Sequence, residues 1–217
     1  MAMNLVANAG LESRTSIRQD IRPSPVGAKT IAVDLDDTLN NFTQTLCGTP
    51  FPYHERYAVE PTVFDEYLER LRTKPDIVED LLSTEFAYFR AKIHLECYRR
   101  AQARVDGVAF MQWLKRGGWR IVICTQRDLR TSYAATKAWL DENQIPFDYI
   151  FRAGNKVVFC KLWGIDILVD DNLFNILYGG QYGIRVFYPL TDQNRSSHGA
   201  GAQGFETFDQ LKPWITE

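Results

Sequence analysis

Three short runs rich in branched apolar residues constrain this chain more than anything else in it. They are Thr30-Ile31-Ala32-Val33-Asp34-Leu35, Trp119-Arg120-Ile121-Val122-Ile123-Cys124 and Ile165-Asp166-Ile167-Leu168-Val169, and each reads as a buried strand. A fourth candidate covers residues 185–188, and a weaker fifth covers 148–151. Helical stretches lie over 106–116, 128–143, 156–163 and 173–178. Gly117-Gly118 and Gly179-Gly180 stand where helix C-caps belong. Strands alternating with helices predict a three-layer α/β core, a Rossmann-like parallel sheet with helices on both faces.

The stretch between the first strand and Asp106 breaks that rhythm. Phe64, Tyr67, Leu68 and Leu71 fall at i, i+3, i+4 and i+7, and Phe86, Phe89, Ile93 and Cys97 continue a helical stripe. A crossover between parallel strands usually needs one helix, and this stretch is several times longer. We therefore read residues 43–103 as a helical cap inserted after the first strand rather than as extra core helices. Residues 29–42 and 104–217 then form the core. Residues 1–28 read as a flexible tail; Arg14, Arg18 and Arg22 suit a targeting peptide, but Glu12 and Asp20 do not. The glycine- and serine-rich stretch 191–204 reads as a flexible loop.

Composition narrows the function. The 217 residues carry a formal net charge of -2, which disfavours a general binder of polymeric nucleic acid and suits a membrane surface poorly. No apolar run approaches the roughly 20 residues that span a bilayer. The four cysteines (Cys47, Cys97, Cys124, Cys160) are scattered, without the spacing of a zinc site or a disulfide framework. A reducing cytoplasm is the expected home. His54, His94 and His198 show no ligand spacing.

In open parallel sheets, ligands bind beyond the carboxyl ends of the strands. After the first run stands Asp34-Leu35-Asp36-Asp37-Thr38, after the second Thr125-Gln126-Arg127, and after the third Asp170-Asp171-Asn172. Packing would not ask for this. Asp34 and Asp36, two apart, can both reach one site, and Asp170 and Asp171 add charge that repels itself unless a cation is present. Hard oxygen ligands favour magnesium, which would also neutralise an incoming phosphate. One carboxylate can then attack phosphorus while a second handles the protons. Thr125 offers a hydroxyl, Gln126 beside it a backbone N–H, and Lys156 or Lys161 a cation. Lys156 is preferred because it begins its helix nearer the sheet's carboxyl end. A calcium loop is excluded, since residues 34–45 lack the mid-loop glycine and the terminal glutamate.

Asp34-Leu35-Asp36-Asp37-Thr38 resembles the D-x-D-x-T first motif of the haloacid dehalogenase-like superfamily. Thr125, Lys156 and Asp170-Asp171 are similar to its second, third and fourth motifs, in the same order, over residues 30–172. The resemblance implies that Asp34 is the nucleophile and Asp36 the general acid/base. It implies that Thr125 and Lys156, with Gln126, hold the transferring phosphoryl group. It also implies that Asp34, Asp36 (through its backbone carbonyl), Asp170 and Asp171 make the magnesium site. The second acidic position is not retained in the dehalogenase branch, so Asp36 favours phosphate chemistry. Gly154-Asn155-Lys156-Val157-Val158 further resembles the deoxyribonucleotidase branch. That implies a small phosphorylated substrate, a nucleoside monophosphate foremost, with other small phosphorylated metabolites, nucleic-acid ends or a silent binding module as alternatives. Arg127 could touch phosphate, pair with Asp128 or meet a cap carboxylate.

Overall fold

The computed structural model describes residues 29–48, 94–192 and 194–216. The tail and most of the cap, residues 49–93, lie outside the described residues. Six parallel strands form one sheet: β1 (Thr30–Val33), β2 (Arg120–Thr125), β3 (Tyr149–Arg152), β4 (Ile167–Val169), β5 (Arg185–Pro189) and β6 (Ala202–Phe205), in the order β3-β2-β1-β4-β5-β6. Helices α1 (Phe42–Gly48), α2 (Leu95–Arg100), α3 (Val105–Arg116), α4 (Leu129–Glu142), α5 (Lys156–Trp163), α6 (Leu173–Tyr178) and α7 (Leu211–Thr216) connect or flank them.

Alternation along each strand sends side chains to opposite faces. Ile31, Val33, Ile121 and Ile123 pack with Phe110 and Leu114 of α3, Trp139 of α4 and Leu211 and Ile215 of α7. Ala32, Val122, Cys124 and Leu168 pack with Val157 and Cys160 of α5 and Ile176 of α6. The predicted three layers are therefore present, with β1 near the middle of the sheet. Among the described residues no helix is long and apolar enough to cross a membrane. Cys97, Cys124 and Cys160 are free and buried.

The two ends of the long insertion meet in a short neck. Asn40 bridges Ala103 in antiparallel fashion, Arg104 N–H donates to the Leu39 carbonyl at 2.9 Å, and Gln102 N–H donates to Asn41 Oδ1 at 2.7 Å. The buried Trp139 indole donates to the Ala101 carbonyl at 2.7 Å, fastening the returning arm to α4. Phe42 at the start of α1 packs on His94 and Tyr98 of that arm. Both arms are thereby fixed beside the carboxyl end of β1.

One expectation needs correction. Residues 202–205, read as loop, form the edge strand β6. The stretch before them is tied down as well: Tyr188 donates to the Ser197 carbonyl at 2.8 Å, and Asn194 Nδ2 to the Pro189 carbonyl at 3.0 Å. Gly179 is the C-cap of α6, as expected, though at a helical φ of -53, and the chain runs on into a 3-10 turn. These glycines are also needed for space. A Cβ on Gly180 would lie 1.5 Å from the Ala200 carbonyl oxygen, so only glycine lets the two backbones pass. Gly118, by contrast, follows α3 at φ +76 as the cap reading requires.

Gly180→Ala should therefore cost about 2 kcal/mol or more in urea unfolding, through forced backbone displacement. Gly154→Ala, where a Cβ meets nothing within 4 Å, should stay within about 0.5 kcal/mol. Equal costs for the two would contradict the close-approach account.

Candidate active site

The strands end in step, and that brings the charged residues together. Asp34 N–H donates to the Val169 carbonyl at 2.9 Å, and Asp170 N–H to the Phe187 carbonyl at 3.0 Å. The β1–β4 pairing thus carries one residue past each strand and places Asp34 beside Asp170. Asn155 caps α5 by accepting from Val158 N–H at 2.9 Å, which sets Lys156 as the first residue of that helix. The Lys156 ammonium, buried to 2% exposure, reaches Asp34 Oδ2 at 2.8 Å and Asp170 Oδ2 at 2.6 Å. Lys161 is exposed, with its ammonium near Gly183. Of the two lysines, Lys156 is the one that joins the carboxylates.

Ligand oxygens of Asp34, Asp170 and Asp171 all lie within 4.8 Å of one another. Like charges at that spacing repel by about 3–4 kcal/mol per pair at an effective dielectric of about 20. Three carboxylates and one ammonium leave two negative charges if all are ionised. Burial pushes the Asp34 carboxyl up to about 7; Lys156 opposes that shift, and Asp170 and Asp36 add to it. Burial, then Asp170 and Asp34, raises Asp171 well above the carboxylate range. Burial alone would lower the Lys156 pKa, but Asp170 and Asp34 outweigh it and hold the ammonium charged. Without a cation, this cluster holds protons.

Around the cluster, each further residue has a definite station. Thr38, fully buried, donates to Asp171 Oδ1 and accepts from Asp171 N–H, both at 3.1 Å, locking the β1 loop to the β4 loop. Asn172 N–H donates to Asp170 Oδ1 at 2.8 Å. Thr125 is buried at the end of β2, and its Oγ1 accepts from Arg127 N–H at 3.2 Å, leaving its own O–H to donate. The Gln126 side chain is exposed and donates to the Gly154 carbonyl at 3.3 Å. That tie bridges the loops after β2 and β3, so any contact with phosphate falls to its backbone N–H.

The two remaining aspartates of the first motif part company. Asp37 sits at φ +57 and accepts from Thr43 N–H at 2.8 Å and from the Thr43 hydroxyl, so it caps the start of α1. The Asp36 carboxylate stands outside the three-carboxylate group and forms a fork with Arg127, at 2.6 Å (Nη2 to Oδ1) and 2.9 Å (Nε to Oδ2). Asn40 Nδ2 adds a contact to Asp36 Oδ1 at 3.2 Å. Arg127 therefore pairs with neither Asp128 nor a described cap carboxylate; Asp128 takes Arg130 instead. Arg127, Asn40 and Thr38 are the structural partners that sequence reasoning did not assign. The polar Thr38 that closes the first motif and Asn40 just after it were the available signal.

No family model matches the chain, and no curated protein matches it. Solved structures do. A predicted phosphatase from Clostridium acetobutylicum superposes with a TM-score of 0.62 at 13% identity, over 87% of this chain and 98% of that one. A haloacid dehalogenase-like hydrolase from Streptococcus pneumoniae gives 0.60 at 14% identity, over 88% and 100%. A defluorinating L-2-haloacid dehalogenase also gives 0.60, at 11% identity, over 88% and 96%. Phosphatases and dehalogenases thus share this architecture, and likeness at such low identity speaks to architecture alone. The chain has the haloacid dehalogenase-like hydrolase fold, with an acidic cluster at the carboxyl end of its sheet.

Proposed function

We propose that the protein is a magnesium-dependent phosphomonoester hydrolase working through an aspartyl-phosphate on Asp34, with nucleoside monophosphates as the favoured substrate class. The observation that carries the reading is the buried Lys156 bridging Asp34 and Asp170, beside a second carboxylate, Asp36, kept outside the cluster. A cluster of three carboxylates at the end of the sheet supports a reading in which a cation and a phosphate meet there.

The donor set fits a divalent cation. It is all hard oxygen, without histidine, and its excess of two negative charges is what such an ion would neutralise. Asp34, Asp170 and Asp171, with the Asp36 backbone carbonyl, would hold the ion. When bound, it would screen the phosphate from the carboxylates and stabilise charge on the transferring group.

The chain's own groups supply the rest. Lys156 and the Thr125 hydroxyl bind and orient the phosphoryl oxygens. An Asp34 oxygen attacks phosphorus, and the bond to the leaving oxygen breaks as Asp36 delivers its proton there. Asp36 then takes a proton from water, whose oxygen attacks the aspartyl-phosphate and releases inorganic phosphate and Asp34. The inserted segment 43–103 is the proposed reader of the leaving group, since its two arms stand beside Asp36. The likeness of Gly154-Asn155-Lys156-Val157-Val158 to the deoxyribonucleotidase branch is what favours a nucleotide over a sugar phosphate.

Assaying phosphomonoesters with and without magnesium tests the reading. Nucleoside monophosphates should be turned over faster than sugar phosphates of equal charge. Full activity after exhaustive chelation would refute the metal, and a preference for sugar phosphates would remove the nucleotide assignment.

Asp34→Asn should lower kcat by about a thousandfold or more, because an amide does not attack phosphorus. Asp36→Asn should hurt least where the leaving group needs little protonation, such as an aryl phosphate. Activity of Asp34→Asn within tenfold of wild type would exclude the covalent route.

A pH prediction follows from the folded Asp34 value of about 7, above the ordinary carboxylate range. The folded chain keeps a proton there that the unfolded chain has released. This stabilisation is complete below about pH 4 and is lost as pH rises toward 7. Metal-free protein should thus lose a few degrees of Tm between about pH 5 and 8. Magnesium should return more stability at pH 8 than at pH 5, since it replaces the protons. A Tm that rises over this window in chelator would contradict the assignment.

A further inference from the structure

Arg127 is charged, buried and unused by the chemistry above. Its side chain shows 0% exposure. A guanidinium cut off from water is costly unless its donors are satisfied. Nε and Nη2 grip the two oxygens of Asp36 at 2.9 and 2.6 Å, and Nη1 donates to Thr136 Oγ1 at 3.1 Å in α4. The Tyr98 ring of α2 covers its face, with Cζ 3.9 Å from the ring centroid. A fork committed in this way is not placed to bind phosphate.

Asp36 is held in one orientation as a result. Oδ1 accepts twice, from Arg127 Nη2 and from Asn40 Nδ2, while Oδ2 accepts once, from Arg127 Nε. Each carboxylate oxygen offers about two lone-pair directions. Among the described contacts, the open direction is on Oδ2.

We infer that Arg127 is a positioning residue, which turns Asp36 so that Oδ2 is the oxygen carrying the transferred proton. Through Tyr98, it makes that orientation depend on the returning arm of the inserted segment. The inference rests on the phosphohydrolase reading of the site. The proton passes between Asp36 Oδ2 and the leaving oxygen, and Arg127 keeps its own throughout.

The test compares a nucleoside 5'-monophosphate with p-nitrophenyl phosphate, in magnesium, for wild type, Arg127→Lys, Asp36→Asn and the double variant. Arg127→Lys keeps the charge and removes the fork. It should lower kcat on the nucleotide about tenfold more than on the aryl phosphate, with KM nearly unchanged. In the Asp36→Asn background it should cost nothing further, because its only client is gone. Guanidinium in the buffer should restore part of the nucleotide activity of Arg127→Ala. Should that variant not fold, Tyr98→Leu replaces it and should show the same substrate-dependent loss in smaller measure.

Equal losses on both substrates would overturn the inference while leaving the phosphatase reading intact. So would a loss confined to KM, or an added loss in the Asp36→Asn background. Wild-type protein inactive on both substrates would overturn the reading and the inference together.

Discussion

The ion pair from Lys156 to Asp34 and Asp170 is the contact on which the site depends. It joins the ends of two neighbouring strands whose carboxylates would otherwise repel, and it does so from the first turn of a helix on one face of the sheet. Removing one partner of such a buried set leaves uncompensated charge, which typically costs 3–5 kcal/mol. The site is thus also a structural joint. Its protein-only form is unbalanced, with two carboxylates pushed toward protonation.

A second ion pair, between Asp36 and Arg127, divides the labour. Asp34 belongs to the three-carboxylate cluster, whereas Asp36 is gripped by Arg127 and held apart from it. Two carboxylates only two residues apart therefore live in different surroundings. Backbone direction alone would have sent both to the same place. The fork and Asn40 pull Asp36 aside.

The neck of the insertion ties this arrangement to whatever the insertion does. Asn40 serves four partners: it bridges Ala103, accepts from Asp37 N–H at 3.1 Å and Phe42 N–H at 3.0 Å, and donates to Asp36. Tyr98 rests on Arg127 from the other arm. Movement of either arm must strain a contact one bond removed from Asp36.

Much of this was legible before any coordinates. Alternating strands and helices are written in local periodicity, and a parallel sheet by itself sends Asp34, Thr125 and Asp170 to one end. The capping Asn155 likewise fixes where α5 begins, hence which lysine leads it. What the tertiary structure alone decided has a common physical cause, which is distance along the chain. Arg127 lies 91 residues from Asp36, and Thr38 lies 133 from Asp171, so no local pattern could pair them. The edge strand β6, Ala202-Gln203-Gly204-Phe205, has no apolar period of its own and becomes a strand only because β5 offers it an unpaired edge. Gly180 reads as a helix stop until Ala200 is seen passing against it. Local sequence determined which groups reach the carboxyl end of the sheet; long-range packing decided which of them touch, because contact energy depends on separation in space.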